Sequence, residues 1–483
     1  MNIRSVVSSV SRIVAVFGAL MLAPAAVSLL FGESDWTAFL ISSAITAAIG
    51  VVGALLAAPG TDWRIGNREG MAITTLGWTA CAVFGALPFL LAGSLYAPAD
   101  AVFETMSGLT TTGATVLVDV EAQSHAILFW RSFLHWLGGM GIVVLSIALL
   151  PGLQVGGSQL FRAEVPGPLP DRLEPRIRET AQRLWGIYIL LTAAETILLC
   201  VFGMSLFDAV THTFGTVATG GFSTANKSLE AWNSPAIDLT VTAFMFLAGM
   251  NFTLHYRALR GDFQPISKDD ELRTYAGIVL AAVVLISLDL LAHSKYGLWN
   301  TLRHSSFQVV SIITTTGFTT ADYDIWPPLS RAILLLLMFV GGCAGSTGGA
   351  VKVVRMNVLA KHSIRELKRA VYPRRVTVVR LNGKAVPEEV SSAVLAFVIL
   401  YLSVFLLSML ALSAMGLDFV SAIGAVAATL GNIGPGFGLV GPTSNYSSVP
   451  TIGKWVLSFC MLVGRLEVYT VLSLLVPGFW RRP

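Results

Sequence analysis

Residues 311–323 read SIITTTGFTTADY: an apolar approach, three threonines, a glycine and then polar residues. The stretch interrupts a chain of 483 residues that is 54% hydrophobic and only 12% charged, whereas about a quarter of the residues in a soluble domain are charged. Apolar segments near or above roughly 18 residues are long enough to cross a bilayer. They recur at 8–31, 36–58, 72–94, 128–151, 184–204, 235–254, 274–292, 330–351, 391–415 and 455–477, which predicts ten crossings.

The net charge of +4 says little, because in a membrane protein the placement of Lys and Arg carries the information. With both termini cytoplasmic, the inner segments hold 25 of the 32 basic residues, ten of them from Lys352 to Lys384. The outer side keeps Lys227, Lys295, Arg303 and Lys454. Arg4, Arg12 and APAA at 23–26 imitate a signal peptide, but the apolar run continues to Phe31, so a retained helix is expected. The four cysteines and seven histidines are scattered without zinc or disulfide spacing and suggest no metal-ligating cluster.

The opening motif recurs as LTTTGAT (109–115), VATGGFS (217–223), ITTTGFT (313–319) and GNIGPGF (431–437). Taking Gly113, Gly220, Gly317 and Gly434 as equivalent, the separations are 107, 97 and 117 residues. Each copy follows a segment too short to cross, namely ADAVFETMSGL, LFDAVTHTFGTV, LWNTLRHSSFQVVSI and LDFVSAIGAVAATL, and precedes another long apolar run. Asp100, Asp208, Asn300 and Asp418 stand near the starts of these segments, where a side-chain oxygen can cap a helix. The pattern predicts four half-helices dipping into the membrane from outside.

Irregular backbone at membrane depth survives only where protein buries it or it lines a water-filled path. Four such stretches around one axis satisfy that condition together, with carbonyls turned inward to replace a cation's hydration shell. Glycine permits the dihedrals that aim successive carbonyls the same way, and the negative helix ends favour a cation between them. A single Thr-Gly run is ordinary turn chemistry; the fourfold recurrence is what carries the expectation.

These residues resemble the Trk/Ktr/HKT superfamily of potassium transporters, and most closely its bacterial TrkH-type subunits. The similarity extends over FETMSGLTTTGAT (103–115), HWLGGMGIVVL (135–145), RIRETAQRLW (176–185), LAGMNFTLHY (247–256), GGCAGSTGGAVKVVR (341–355) and GRLEVYT (464–470). It implies an all-α integral membrane protein, with four helix–half-helix–helix repeats around a pseudo-fourfold pore and two extra N-terminal helices. The expected division is 1–70 for the extra helices, 71–152, 153–258 and 259–356 for repeats one to three, and 357–483 for a basic loop and repeat four. The resemblance further implies K+ as the transported ion, homodimers in the bacterial inner membrane, and a cytosolic TrkA-type partner. A regulating nucleotide, NAD or ATP/ADP, would sit on that partner, with no cofactor in this chain.

Carried over by position, the filter carbonyls would come from Thr111, Thr112 and Gly113; Ala218, Thr219 and Gly220; Thr315, Thr316 and Gly317; and Asn432, Ile433 and Gly434. The Asn-Ile pair of the fourth unit departs from the threonine pattern and predicts an asymmetric filter. GGCAGSTGG (341–349) has five glycines in nine residues, each costing about 1 kcal/mol in a helix interior, so this run should unwind or hinge. Close helix packing is the plainer account; the resemblance instead implies a gating loop, with Gly345, Ser346, Thr347, Gly348 and Gly349 beneath the filter.

Arg465, near the middle of the apolar run 455–477, is a functional candidate because a charge at that depth is costly. A pore-facing role is weighed against a buried ion pair. Glu467 lies two residues away and on a different helix face. Glu104 is expected to brace the first filter and Glu195 to face a helix partner. The basic stretch at 352–390 suits either anionic lipid or docking of the cytosolic regulator. A potassium pore is the leading function. A symporter coupled to H+ or Na+ is the alternative, though such transporters often show inverted repeats, whereas these four units share one orientation. A membrane enzyme would want paired carboxylates or histidines at the membrane surface, and no such cluster occurs.

Overall fold

The computed structural model of the chain describes residues 1–57, 66–141, 177–294, 296–374 and 377–480. The end of the expected crossing at 128–151, the loop that opens the segment 153–258, and Lys295 lie outside the described residues.

The architecture is almost wholly helical, and four units of helix, half-helix and helix follow one leading pair of helices. In that pair, Ile3–Leu30 packs against Trp36–Leu56 through small residues. A Cβ on Gly50 would lie 2.4 Å from the Ala15 backbone nitrogen, and one on Gly18 would lie 2.6 Å from that of Ala47. Such backbone proximity is how helices adhere where lipid offers no hydrophobic drive.

The first helices of the four units are Asn67–Leu91, Ile177–Val201, Asp270–His293 and Glu388–Ala414, all long and apolar enough to span. In the second to fourth, between 28% and 33% of the most apolar window is buried, against 61% in Asn67–Leu91, which the leading pair covers. The outward faces carry residues such as Leu280, Leu288, Ile399 and Leu407, as a lipid-facing surface requires.

The half-helices are Pro98–Leu109, Leu206–Val217, Leu298–Ile313 and Phe419–Leu430, close to the expected segments. Twelve residues span about 18 Å, short of the ~30 Å hydrocarbon core. Their capping is less uniform than expected. Asp418 accepts from the Ser421 N–H at 3.1 Å as a true cap. Asp100, Asp208 and Asn300 instead occupy the third helical position, behind Ala97, Ser205 and Gly297. Asp100 takes the Lys454 ammonium at 2.7 Å, and the cap of the second half-helix is Ser205.

The larger correction concerns the second helix of each unit. Six of the ten expected crossings are continuous among the described residues, whereas Pro235–Ala248 and Thr451–Leu466 bend by 102° and 118° into the segments that follow them. His125–Gly139 and Pro328–Leu337 likewise end early. At the fourth break Gly464 lies against the Leu430 carbonyl of its own unit, whereas each of the other three meets the residue that ends the next unit's half-helix. A Cβ on Gly139 would fall 2.8 Å from the Ala218 Cα, one on Gly249 2.9 Å from the Thr314 methyl, and one on Gly431 2.8 Å from the Met338 carbonyl oxygen.

Candidate functional site

All four half-helices end alike. Thr111, Thr219, Thr315 and Asn432 adopt left-handed backbone, with φ of 53°, 56°, 62° and 55°. The next N–H reaches back five residues: Thr112 to Ser107 O at 2.9 Å, Gly220 to Gly215 O at 2.7 Å, Thr316 to Ser311 O at 2.9 Å, and Ile433 to Ala428 O at 2.8 Å. This is the Schellman ending, which usually employs glycine. A threonine there costs about 1–2 kcal/mol; the recurrence of that strain in three units, with asparagine in the fourth, marks a functional locus.

Two residues further on, Gly113, Gly221, Gly317 and Gly434 are again left-handed, with φ of 79°, 80°, 81° and 101°. The second unit is therefore read one residue later than the sequence suggested. Gly221 takes the place assigned to Gly220, and Ala218 is the helix-ending residue equivalent to Thr110, Thr314 and Gly431. Gly220 is needed for a different reason, since a Cβ on it would strike the His135 ring at 2.4 Å.

The four strands close into a ring. A Cβ on Gly113 would lie 2.1 Å from Gly220 O, on Gly221 2.0 Å from Thr316 O, on Gly317 1.7 Å from Ile433 O, and on Gly434 2.7 Å from Thr112 O. Each glycine thus abuts the carbonyl that precedes the glycine of the next unit, in the order one, two, three, four and back to one. A cavity of about 120 Å3 outside the ring is lined by all four glycines. Among the described residues no cluster of His, Cys, Asp or Glu is placed to hold a metal ion; the oxygens gathered at the axis are backbone carbonyls.

Side chains hold the ring from behind. Glu104 is fully buried and accepts from the Val116 N–H at 2.9 Å, the Thr115 hydroxyl and Arg131 Nε at 2.8 Å. Arg131 continues to Ser223 O in the second unit at 3.2 Å and lies 4.1 Å from the Phe222 ring centre. His135 Nδ1–H donates to Gly108 O while its Nε2 accepts from the Phe222 N–H, which sets the tautomer. Tyr446 donates to Gly434 O at 2.8 Å. The fourth unit compensates for its missing threonine with the amide of Asn432, whose Nδ2 donates to Thr112 Oγ1 of the adjoining first unit at 3.0 Å and to Met461 O at 2.9 Å. Glu195 is buried beside Thr216 of the second half-helix. Substituting Arg131 by Met leaves the Glu104 charge buried and unpaired, so a loss of about 3–5 kcal/mol is expected. A falling midpoint of thermal unfolding in detergent would report it.

Inside the ring, residues 338–352 carry no helix, and the glycine run forms a re-entrant loop pinned to the second, third and fourth units. Thr347 donates to Val217 O, the last residue of the second half-helix, at 3.1 Å. The Gly349 N–H donates to Thr315 Oγ1 at 2.7 Å, and a Cβ on Gly349 would lie 2.5 Å from Gly431 O. Gly345 is left-handed, with φ of 73°, and its carbonyl accepts from the Phe252 N–H; Ser346 donates to Cys343 O.

Arg465 is not in mid-helix but in the last turn of Thr451–Leu466, directly before the 118° bend. Its guanidinium donates to Thr347 O of the loop and to Gly138 O and Gly139 O of the first unit, the latter two at 2.6 and 2.8 Å. Glu467, left-handed at the break, pairs with Arg355 at 2.5 Å. Lys352, counted above with the cytoplasmic basic stretch, is instead buried and donates to Gly348 O. Two basic side chains thus stand on the inner side of the ring. Lys352 escaped notice because a lysine at the end of an apolar run reads as a topology signal.

Four helix–half-helix–helix units around a carbonyl ring, with a loop packed on its inner side, define a multi-pass membrane transport protein. The TrkH family, described as "Cation transport protein", matches residues 37–478. "Trk system potassium uptake protein TrkH" of Salmonella typhimurium is 44% identical over 487 aligned residues, covering 100% of both chains, and the Escherichia coli protein of that name is equally similar. "Trk system potassium uptake protein TrkG" of Escherichia coli is 36% identical over 99% of each chain. The crystal structure of the potassium transporter TrkH from Vibrio parahaemolyticus superposes with a TM-score of 0.90 at 41% identity, covering 100% of both chains. The chain belongs to the TrkH family of cation transport proteins, and is a transporter rather than an enzyme.

Proposed function

We propose that this chain is the membrane subunit of a Trk-type system and takes up K+ across the bacterial inner membrane through a gated, selective pore. The observation that carries this is the closed ring in which Gly113, Gly221, Gly317 and Gly434 each abut a neighbouring carbonyl. A ring of carbonyls at the negative ends of four half-helices suits a dehydrated cation. The filter comprises Thr111-Thr112-Gly113, Thr219-Gly220-Gly221, Thr315-Thr316-Gly317 and Asn432-Ile433-Gly434. The loop from Gly345 to Gly349, with Arg465 and Lys352, is the gate. Cyclic units of one orientation support a channel-like path over alternating access by inverted repeats.

Both termini are cytoplasmic in this proposal, the protein is a homodimer, and a cytosolic TrkA-type protein carrying NAD or ATP/ADP controls the gate. Rubidium tracer uptake tests the function, in cells that lack their own potassium uptake and express the chain together with such a partner. Excess K+ should compete with the tracer and excess Na+ should not. Absence of uptake from cells whose membranes contain both proteins would overturn the proposal.

A further inference from the structure

The gate loop is tied to the cytoplasmic face by three consecutive carboxylates at the start of Asp270–His293. Glu271 is only 7% exposed, and its Oε1 accepts two backbone N–H groups, Ala344 at 2.8 Å and Val354 at 2.9 Å. Ala344 immediately precedes Gly345 and Val354 lies five residues beyond Gly349, so one oxygen clasps both arms of the loop. The preceding two carboxylates face the cytoplasm. Asp269 caps the helix through the Leu272 N–H at 2.7 Å and accepts from Asn382 Nδ2 at 3.1 Å. Asp270 Oδ2 accepts from the Asn382 N–H and from Lys361 Nζ, each at 3.1 Å, while the Asp270 N–H donates to Asn382 Oδ1 at 2.7 Å.

Asn382 and Gly383 form the two-residue turn of a small hairpin, Arg380–Leu381 paired with Lys384–Ala385, with φ of 47° and 75°. That is the left-handed pair a tight hairpin turn demands. The hairpin has an apolar core of its own, separate from the main one, in which Leu381, Val379 and Val386 pack with Val354 and Val358. Ala344 of the gate loop packs against that same cluster. The hairpin therefore reaches the loop twice, once through the carboxylates and once through its apolar face.

We infer that Glu271 is the positioning residue that holds the gate loop shut, and that the Asn382 hairpin is its cytoplasmic handle. Displacing the hairpin shifts the first turn of Asp270–His293 and loosens the clasp on Ala344 and Val354. This inference rests on the proposal that the loop is the gate, and it assigns the point at which a force on the cytoplasmic face enters.

The test is basal rubidium flux into proteoliposomes holding equal amounts of purified protein. Glu271→Ala should raise flux about ten-fold, within the usual range of coupling between sites, whereas Glu271→Gln, which keeps an acceptor oxygen, should return it to the starting level. Asn382→Gly retains the left-handed turn but deletes the side-chain bonds and should raise flux about five-fold. Combined with Glu271→Ala it should add nothing further, because both act through one clasp. Multiplying effects, or no effect of Asn382→Gly, would overturn the inference. Arg465→Ala in the same assay separates the two levels. If it raises flux and Asn382→Gly does not, the handle is wrong and the gate stands; if neither does, the loop is not a gate. Should Glu271→Ala fail to insert, Asn382→Gly, on an exposed turn, decides alone.

Discussion

Gly317→Ser is expected to lower the preference for K+ over Na+ by about ten-fold or more, equivalent to ~1.4 kcal/mol. The Cβ it introduces would lie 1.7 Å from Ile433 O, the tightest contact in the ring. It also sits on a backbone with φ of 81°, a conformation that costs a residue with a side chain about 1–2 kcal/mol. Neither neighbour can yield without moving a carbonyl, and a site that replaces a hydration shell depends on where its carbonyls stand. Uptake of rubidium against a sodium competitor measures the change. Because closure is cyclic, Gly221→Ser should behave alike, since its Cβ meets Thr316 O at 2.0 Å. Unaltered selectivity in both variants would refute the role given to the ring.

Arg465→Ala is expected to raise basal flux about ten-fold or more in the absence of any cytosolic regulator. The side chain makes three charge-assisted bonds, to Thr347 O on the loop and to Gly138 O and Gly139 O on the first unit, so its loss unties the loop from one wall. Each such bond contributes about 1.5–3 kcal/mol. The substitution also removes a positive charge beside the proposed ion path, where two unit charges 4 Å apart repel by about 4 kcal/mol at an effective dielectric constant of 20. Arg465→Lys separates the two effects: an ammonium keeps the charge but lacks the planar fork that reaches carbonyls in two directions. An intermediate flux for lysine is the expected result. Flux at or below wild type for alanine, at equal protein content, would show that Arg465 is no barrier.

Several features of the fold were legible in the chain because they are local. A helix too short to cross, a Thr-Gly interruption and a long apolar run are matters of length and composition, and the ends of Pro98–Leu109, Leu206–Val217 and Phe419–Leu430 fell close to the expected residues. The glycine content of 341–349 left unwinding and close helix packing both open, and the family resemblance favoured the loop. The register of the second unit was harder, because Gly220 and Gly221 stand side by side and both are required, one for His135 and the other for Thr316 O. A usable signal was present nonetheless: Gly221-Phe222 matches Gly317-Phe318, and that dipeptide fixes the alignment. The Asn-Gly pair at 382–383 is likewise a turn signal, set within a strongly basic stretch.

The sequence by itself determined a membrane protein of four similarly built units and where their half-helices lie, since these depend on neighbours a few residues apart. Only the tertiary structure decided how those units meet. The contact of Gly434 with Thr112 O closes the ring across more than three hundred residues, and Arg465 reaches Gly138 over 327. The assignment of Glu467 to Arg355, the burial of Lys352 and the clasp of Glu271 on Ala344 and Val354 belong to the same class. Buried polar groups must find partners wherever the fold brings them, and in a bundle of broken helices those partners come from other units.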